Sequence, residues 1–260
     1  MVRNHLCGYY CLCMTNPFHR LSLILGDEAL TALKKTRATV VGLGGVGSWC
    51  AEALVRSGIG SILIVDFDTV CASNINRQVQ ATSKSIGRLK AQALEERLKE
   101  INPSCEVVSL PSFFSGEAIE VLEISGSDYV IDAIDVLKSK LNLIKAALDG
   151  GKRLFSSMGM AQKLDPTLIK TADIWETRGC PLARLVRQGL KKRNCQGHFT
   201  AVYSPERLPR HDGMDDQDEA GGKKIINGSS VSVTATAGMV LASLVIRDVY
   251  DRFNGQRAGG

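Results

Sequence analysis

Paired cysteines and clustered histidines, the usual marks of metal sites, are scarce in this chain of 260 residues. Its eight cysteines are too few for a disulfide scaffold of this length, and neither paired C-x-x-C motifs nor a cysteine and histidine set with zinc spacing occurs. The four histidines, at positions 5, 19, 198 and 211, form no motif. These absences argue against a zinc site and against a histidine-based catalyst, and they favour a reducing compartment.

Long hydrophobic runs and internal repeats are also missing. The most apolar stretch, VTATAGMVLASLVI near the C-terminus, is well short of the roughly 20 residues that a membrane-spanning helix requires, so it predicts a core helix. The first 26 residues contain basic but no acidic side chains and are similar to a poor signal or transit peptide. Cys7, Cys11 and Cys13 cluster there, and either reduced thiols or a metal or redox role would explain them. The rest of the chain predicts a cytoplasmic enzyme without a membrane segment.

The charge and composition fit a globular protein with a mild affinity for anions. The formal net charge is +5 and the sequence pI is about 8.8, which is compatible with a nucleotide or RNA partner. Hydrophobic residues make up 44% of the chain and charged residues 23%, enough apolar side chains to fill a core. We therefore expect one α/β domain with elaborations.

Strand and helix patterns alternate along the first two thirds of the chain. Nearly continuous apolar runs at 37–44, 61–68 and 127–135 are typical of strands covered on both faces, and 105–110 and 152–159 predict further strands. Helical patterns at 47–58 and 84–101 lie between them, and the second has an apolar stripe that includes Ile86 and Leu89. This alternation predicts a doubly wound α/β sheet of the Rossmann type, with ligands beyond the carboxyl ends of its strands.

After Gly159 the pattern changes to a C-terminal extension of strands and helices. Runs at 168–175 and 198–204 predict strands that flank a basic helix in 180–193. A stretch rich in Pro, Gly, Asp and Lys at 205–230 predicts a mobile loop, and residues 233–253 predict a closing helix.

A glycine-rich motif follows the first predicted strand. Gly42, Gly44 and Gly47 form G-x-G-x-x-G, with Gly45 between them, and glycines let backbone N–H groups approach a phosphate at a helix N-terminus. Asp66 follows at the spacing of a carboxylate that binds ribose hydroxyls. Taken alone, this motif indicates a nucleotide site, and it occurs most commonly in NAD or flavin enzymes.

Further polar residues change that interpretation towards ATP. Cations near a phosphate neutralise its charge, and an aspartate can hold Mg²⁺, so this combination suits attack on an α-phosphate. Asp68 and Asp132 could instead cap helices or bond loop backbone, and Lys90 could be a solvated charge. The residues that we assign to the nucleotide site beside the glycines and Asp66 are Asp68, Asn76, Arg77, Gln78, Lys90, Asp132 and Asp135.

At these positions the chain resembles the ThiF/MoeB-like superfamily of ATP-dependent adenylating enzymes. The shared pattern is GxGGxG, D-x-D, N-x-N-R-Q, a helical Lys and D-x-x-D. The resemblance implies that Asp66 binds ribose, that Asp135 organises Mg²⁺, and that the triphosphate is engaged by Asn76, Arg77 and Lys90. The stretch RLSLILG is similar to the family's R-Q-x-x-L-x-G, which implies that Arg20 crosses a homodimer interface into the neighbouring ATP site, although Leu21 stands where the family has Gln.

One branch of the superfamily is more similar than the others. Segments such as SSMGMAQKLDPTLIKTADIWET and CPLARLVRQGLKKR resemble the tRNA threonylcarbamoyladenosine dehydratases over most of residues 20–253. The resemblance implies ATP-dependent closure of the threonylcarbamoyl group beside the tRNA anticodon into a ring. A sulfur-relay or acceptor protein is a further partner that the resemblance leaves open. Cys180 is the one cysteine in a position to take an acyl group, although as a small residue at a helix start it needs no chemical role.

Three rival functions remain open at the level of the sequence. A ThiF/MoeB-type activator of a carrier protein's C-terminal Gly-Gly is the nearest, although such activators generally carry the two C-x-x-C pairs that are missing here. An NAD(P)-binding oxidoreductase would have no requirement for Arg77. A catalytically idle nucleotide-binding scaffold would bind ATP without turnover.

The basic helix predicts a surface for RNA. Arg184, Arg187 and Lys191 recur at helical spacing, with Leu182, Leu185 and Leu190 expected to turn elsewhere, so the cations could contact tRNA phosphates or simply face solvent. We expect an N-terminal extension over 1–19, an adenylating domain over 20–253 and a tail over 254–260. Within the domain, a nucleotide-binding half covers about 36–159 and a substrate-binding part about 160–253.

Overall fold

A computed structural model describes residues 16–111, 126–209, 215–217, 223–225 and 227–254. The cluster of Cys7, Cys11 and Cys13 lies outside these residues, as do His211 and much of the loop predicted at 205–230.

Seven strands form one sheet in the order β3-β2-β1-β4-β5-β7-β6. Neighbouring strands are parallel except β6 and β7, which are antiparallel. Each of the seven strands predicted from the sequence is present in this sheet. Their bounds are Arg37–Val41 (β1), Ser61–Val65 (β2), Glu106–Leu110 (β3), Tyr129–Asp132 (β4), Arg153–Ser157 (β5), Lys170–Asp173 (β6) and Thr200–Tyr203 (β7). Two short antiparallel strands, Asp215–Gln217 (β8) and Lys223–Ile225 (β9), lie inside the stretch predicted as a loop.

Helices cover both faces of the sheet, which confirms the doubly wound α/β prediction. Their bounds are His19–Leu33 (α1), Gly47–Arg56 (α2), Lys90–Ile101 (α3), Leu137–Asp149 (α4), Pro181–Lys192 (α5) and Val231–Asn254 (α6). Buried side chains of α1, α2, α3 and α6 form one core cluster with the sheet, and those of α4 and α5 form another. Helix α1 is kinked at Gly26, which has a φ of 79°.

The helix predicted over 84–101 begins later than its apolar pattern suggested. Residues before Lys90 make turns, because the Ser85 hydroxyl bonds the carbonyls of Gln80 and Thr82 and Gly87 has a φ of 82°. Ile86, which was placed on the buried stripe, is 46% exposed. The prediction was wrong there because local side-chain bonds and a left-handed glycine competed with the helix.

The closing helix α6 is 24 residues long, longer than the apolar run that predicted it. By length and apolarity alone, Val231–Phe253 could cross a membrane. Several of its side chains are instead buried in the core against the sheet and α2, among them Val233, Ala237 and Leu241. Gly238 allows this contact, because an ideal Cβ there would lie 2.5 Å from the carbonyl oxygen of Val46. The packing is that of a core helix, as the sequence predicted.

Candidate active site

The glycine-rich loop connects β1 to α2 at the carboxyl edge of the sheet. Gly42 has a φ of 89°, and an ideal Cβ there would lie 2.7 Å from the carbonyl oxygen of Ala133. A Cβ on Gly47 would lie 1.8 Å from the carbonyl oxygen of Gly42, so any side chain would force the turn apart. Gly44 faces open space, with nothing within 4 Å of its ideal Cβ. The loop is therefore tightly folded against the protein and open where a phosphate would approach it.

Asp66 holds this loop from the end of β2. Its Oδ2 accepts a hydrogen bond of 2.6 Å from the backbone N–H of Leu43, and its Oδ1 accepts one of 2.8 Å from that of Asp68. Burial raises the pKa of the Asp66 carboxyl, and the charge of Lys90 and the two backbone bonds act against this increase. The carboxylate that the sequence assigned to ribose also fixes the glycine-rich loop.

Gln80 holds the same loop from the other side. Its Nε2 donates a hydrogen bond of 2.9 Å to the carbonyl of Leu43 and lies 3.4 Å from Oε1 of Gln78. Its own Oε1 is the one buried side-chain oxygen or nitrogen without a partner among the described residues. Gln78, which the sequence assigns to the nucleotide, is only 5% exposed, and its Oε1 accepts the longer of the two bonds from Gln80.

The loop that carries Arg77 is attached to α2 through Trp49. The indole Nε1–H of Trp49 donates to the carbonyl of Arg77 at 3.0 Å. Nη1 of Arg77 donates to the carbonyl of Ser73 and to Oδ1 of Asn76, both at 2.9 Å. The Nδ2 of Asn76 in turn donates to the carbonyl of Ser229, just before α6. Arg77 and Asn76 thus form one hydrogen-bonded unit between the glycine-rich loop and the start of α6.

Lys90 lies at the start of α3 and is not the solvated charge that its helical position allowed. Its side chain is 8% exposed, and its Nζ lies 2.6 Å from Oδ2 of Asp68, whose side chain is 47% exposed. The backbone N–H of Lys90 also bonds the carbonyl of Asp68. The pair faces the same edge of the sheet as Asp66, and the exposed carboxylate holds the ammonium in place.

Asp132 and Asp135 have different surroundings although both follow β4. Asp132 is completely buried, with its Oδ2 2.8 Å from Nζ of the equally buried Lys140 and 2.6 Å from Oγ of Ser156. Its Oδ1 accepts from the backbone N–H of Ile134. This occupied carboxylate fits a supporting role better than the nucleotide contact expected from the sequence. Asp135 is exposed, so its carboxylate is open to a ligand.

Asp135 is an exposed carboxylate that could contribute to a metal site at this edge. No group of three or more His, Cys, Asp or Glu side chains with metal-binding geometry occurs in the described ranges. Mg²⁺ commonly takes one or two carboxylates together with phosphate oxygens and water. The exposed Asp135 fits that pattern.

The basic helix α5 differs from its prediction in two respects. Leu185, which was expected to turn inward, is 41% exposed, while Ala183, Val186 and Leu190 are buried. Arg187 is half-buried, with Nη1 donating to Oγ1 of Thr177. The buried face of α5 runs along these three buried residues, and Arg187 borders it at helical spacing, where its Nη1 also reaches the carbonyl of Ile174.

The other two predicted cations of α5 lie near the surface. Arg184 is exposed. The Nζ of Lys191 lies 5.9 Å from the centre of the Trp175 ring. The three cations therefore do not form one outward-facing stripe.

Arg20 lies in the first turn of α1 and is exposed. Leu23 and Ile24 of the same helix are 70% and 73% exposed. Two large apolar side chains beside an exposed arginine are typical of a surface that another chain covers.

Trp49, Gln80, Lys140 and Ser156 are the supporting residues that sequence reasoning missed. A lysine buried at the end of the first turn of a helix and a glutamine beyond a motif carry no pattern of their own in the sequence. Trp49 had one usable signal, because an indole in the first turn of the phosphate-binding helix is large and has a polar N–H to satisfy.

These features define an α/β protein of the doubly wound class, with an open phosphate loop bordered by an arginine, a lysine and two aspartates. The ThiF family model matches residues 18–255, and the chain belongs to the ThiF family.

Three relatives place the chain within that family. It is 38% identical to the tRNA threonylcarbamoyladenosine dehydratase of Bacillus subtilis over 91% of this chain and 95% of the relative. A crystal structure of the Escherichia coli tRNA N6-threonylcarbamoyladenosine dehydratase in complex with ATP matches it with a TM-score of 0.81 and 33% identity, over 92% of this chain and 96% of that one. The E. coli sulfur carrier protein ThiS adenylyltransferase is a more distant relative, 29% identical over 67% of this chain and 69% of its own.

Proposed function

We propose that this chain is an enzyme that dehydrates threonylcarbamoyladenosine in tRNA at the expense of ATP. The observation that carries the proposal is the match to dehydratases over nearly the whole length of both chains, including the part after β5 where substrate specificity would be set. The open glycine-rich loop at the carboxyl edge of the sheet supports the use of a nucleotide.

The proposed reaction has two steps whose atoms balance. An oxygen of the threonyl carboxylate attacks the α-phosphorus of ATP, and the bond from that phosphorus to pyrophosphate breaks. An internal nitrogen of the substrate then attacks the activated carbonyl carbon, AMP leaves with the former carboxylate oxygen, and the nitrogen loses its proton. The net change in the nucleoside is the loss of one water.

The residues of the site have separate tasks in the first step. The backbone N–H groups of the glycine-rich loop and the Asn76–Arg77 unit bind phosphate oxygens, where positioned cations stabilise the developing charge. Lys90, already desolvated, would exchange Asp68 for phosphate, and Asp66 would bind ribose. Asp135 would hold Mg²⁺, which supplies further neutralisation of the phosphates.

A direct assay of the nucleoside tests this function. The purified protein is incubated with ATP, Mg²⁺ and tRNA that carries threonylcarbamoyladenosine, and the RNA is digested at neutral or mildly acidic pH and analysed by mass spectrometry. We expect a mass decrease of one water that requires both ATP and Arg77. An unchanged nucleoside on competent tRNA, together with pyrophosphate exchange that depends on a Gly-Gly carrier protein, would instead establish the carrier-activating alternative.

The quaternary arrangement is a further part of the proposal. We propose that the protein is a cytoplasmic homodimer and that Arg20 of each subunit reaches the ATP site of the other. We also propose that the nucleotide-binding half of the domain ends near residue 159. The exposed Leu23 and Ile24 beside Arg20 support a covered surface there. Arg20→Ala and Arg77→Ala should each inactivate the enzyme, and a mixture of the two should recover part of the activity in mixed dimers. Failure of every mixture to recover activity, with dimers verified, would contradict a cross-subunit role.

A further inference from the structure

Four cationic side chains converge on the turn that precedes α5. Nη1 of Arg178 donates to the carbonyls of Trp175 and Thr177, at 3.1 and 3.0 Å. Nε of Arg207 donates to the carbonyl of Gly179 at 3.1 Å. Arg187 bonds Thr177 from the helix side. We call residues 174–180, with the side chains of Lys163, Arg178, Arg187 and Arg207, the cationic turn.

The fourth cation approaches from the loop after β5. Lys163 is 6% exposed, and its Nζ donates a 2.6 Å hydrogen bond to the carbonyl of Glu206. The Glu206 carboxylate is itself occupied by the backbone N–H groups of Leu164 and Asp165. The buried ammonium of Lys163 can donate three hydrogen bonds. Among the described residues it donates one, to a neutral carbonyl, which compensates little of its charge.

The cationic turn lacks the carboxylate partners that cations have elsewhere in this molecule. Arg88 pairs with Glu96, Arg97 with Glu52, and Arg153 with Asp248. Within the part of the chain that the structure describes, the hydrogen bonds of the four cations of the turn go to carbonyl or hydroxyl oxygens. The turn therefore has four cations against three neighbouring carboxylates: Glu176 within it, Asp173, which accepts from the backbone N–H of Trp175, and Glu206 beside Lys163.

The electrostatics of the turn agree with this excess. Burial lowers the pKa of the Arg187 guanidinium, and the neighbouring charge of Arg178 lowers it further. Burial likewise lowers the pKa of Lys163, with Cys180 and Glu206 acting against the decrease and Arg207 adding to it. Each cation is thus in an environment that would be stabilised by an anion.

The cationic turn lies at the same edge of the sheet as the nucleotide loops. Gly159, directly beyond β5, has an ideal Cβ 3.8 Å from Sγ of Cys180, so the turn packs over the carboxyl end of that strand. The backbone N–H of Gln162 donates to the carbonyl of Gly228, and the next carbonyl, of Ser229, accepts from Asn76. A polymer bound at the turn would therefore run beside the ATP site.

We propose that Arg178 and Arg207 bind backbone phosphates of the RNA substrate at the cationic turn. Both arginines are exposed, and each is anchored by one nitrogen of its guanidinium, which leaves the rest of the planar fork for a phosphate. Lys163 and Arg187 lie deeper and supply charge behind them. The identification of this RNA as tRNA rests on the proposed function. The cationic turn, rather than the outer face of α5, is then the main phosphate contact.

Binding and salt dependence test the proposal without catalysis. Fluorescently labelled tRNA is titrated with the full-length protein and with the double variant Arg178→Ala/Arg207→Ala, at several salt concentrations and without ATP. We expect the double variant to bind at least about tenfold more weakly, because it loses two charge-assisted hydrogen bonds. Its plot of log affinity against log salt should be shallower by about one to two units, the contribution of the lost phosphate contacts.

The matched control is Arg247→Ala, which removes the same charge from an exposed position on α6. The adjacent Asp248 contacts Tyr129 and Arg153 at the beginnings of β4 and β5, so Arg247 lies at the opposite edge of the sheet. Its affinity for tRNA should stay within about twofold of wild type, because that edge makes no phosphate contact in this proposal. Arg178→Lys/Arg207→Lys should recover only part of the binding, since it keeps charge without the fork.

The outcomes separate this inference from the proposed function. Equal affinities and salt slopes for wild type, the double alanine variant and Arg247→Ala would overturn the phosphate site even if the wild type dehydrates tRNA. Weakened and less salt-dependent binding in the double variant alone would support the site even if the nucleoside assay assigned a different reaction. Circular dichroism and ATP binding would verify that both variants are folded.

Discussion

The indole N–H of Trp49, on the helix that follows the glycine-rich loop, donates a 3.0 Å hydrogen bond to the backbone carbonyl of Arg77. This bond joins the phosphate loop to the cation that we assign to the triphosphate. A side chain outside the recognised motif therefore links the two parts of the site that we propose to bind phosphate. The same loop is held by Ser48, whose Oγ accepts from the backbone N–H of Val79.

Trp49→Phe should slow the adenylation step more than it destabilises the fold. The substitution keeps an aromatic ring and removes one neutral hydrogen bond, worth about 1 kcal/mol, so the single-turnover rate at saturating ATP should fall about fivefold. Tyr129→Phe is the matched control, because it likewise removes one aromatic hydrogen-bond donor, to Asp248, at the opposite edge of the sheet. Equal losses of rate in the two variants would show that the position of Arg77 does not depend on Trp49.

Arg77→Ala should fold normally and lose activity by roughly 10²–10³, the effect of removing a positioned electrostatic donor. The side chain is half-buried and bonds only Ser73 and Asn76 among the described residues, so its loss should change the melting temperature little. Arg77→Lys should recover only part of the rate, since an ammonium lacks the planar fork. Unchanged single-turnover rates for Arg77→Ala would contradict the assignment.

Lys140→Met should destabilise the protein strongly, although Lys140 touches no ligand in this proposal. Removing one partner of a buried ion pair typically costs about 3–5 kcal/mol, because the remaining charge is left without compensation. Urea unfolding at neutral pH measures this loss. Lys145→Met is the control, because Lys145 forms an exposed pair with Asp149 on the same helix, and its loss should change the stability far less. Similar losses of stability for both variants would contradict the stabilising role of the buried Lys140–Asp132 pair.

Asp66 should make the protein less stable as the pH rises through the pKa of its folded form. Burial raises that pKa above the ordinary value, so the folded state holds the proton in a range where the unfolded state has released it. Protons bound more tightly by the folded state stabilise it at low pH, and the gain disappears above the folded pKa. Asp66→Asn should remove this part of the pH dependence in urea unfolding. A difference between wild type and variant that is constant with pH would contradict the raised pKa.

The order of elements and the class of site were predictable from the sequence. Period and composition identify strands that are buried on both faces, since such strands must be apolar throughout. The glycine motif can also be recognised in the sequence, because the steric requirement for glycine is local and does not depend on the rest of the fold. The seven predicted strands of the sheet and the region of the phosphate loop followed from these local rules. The start of α3 did not, because turns around Ser85 and Gly87 replaced the helix that the apolar stripe favoured.

The sequence by itself determined which chemical groups this protein carries and that they meet at one edge of a parallel sheet. Only the tertiary structure decided what each group does there, because burial and partners depend on chain segments far apart in sequence. Asp132 and Asp135 have the same chemistry and lie three residues apart, yet Lys140 and Ser156 occupy the first and leave the second exposed. In the same way, Arg187 belongs to the predicted cationic face of α5, yet its side chain is half-buried because Thr177, ten residues away in sequence, accepts a hydrogen bond from it.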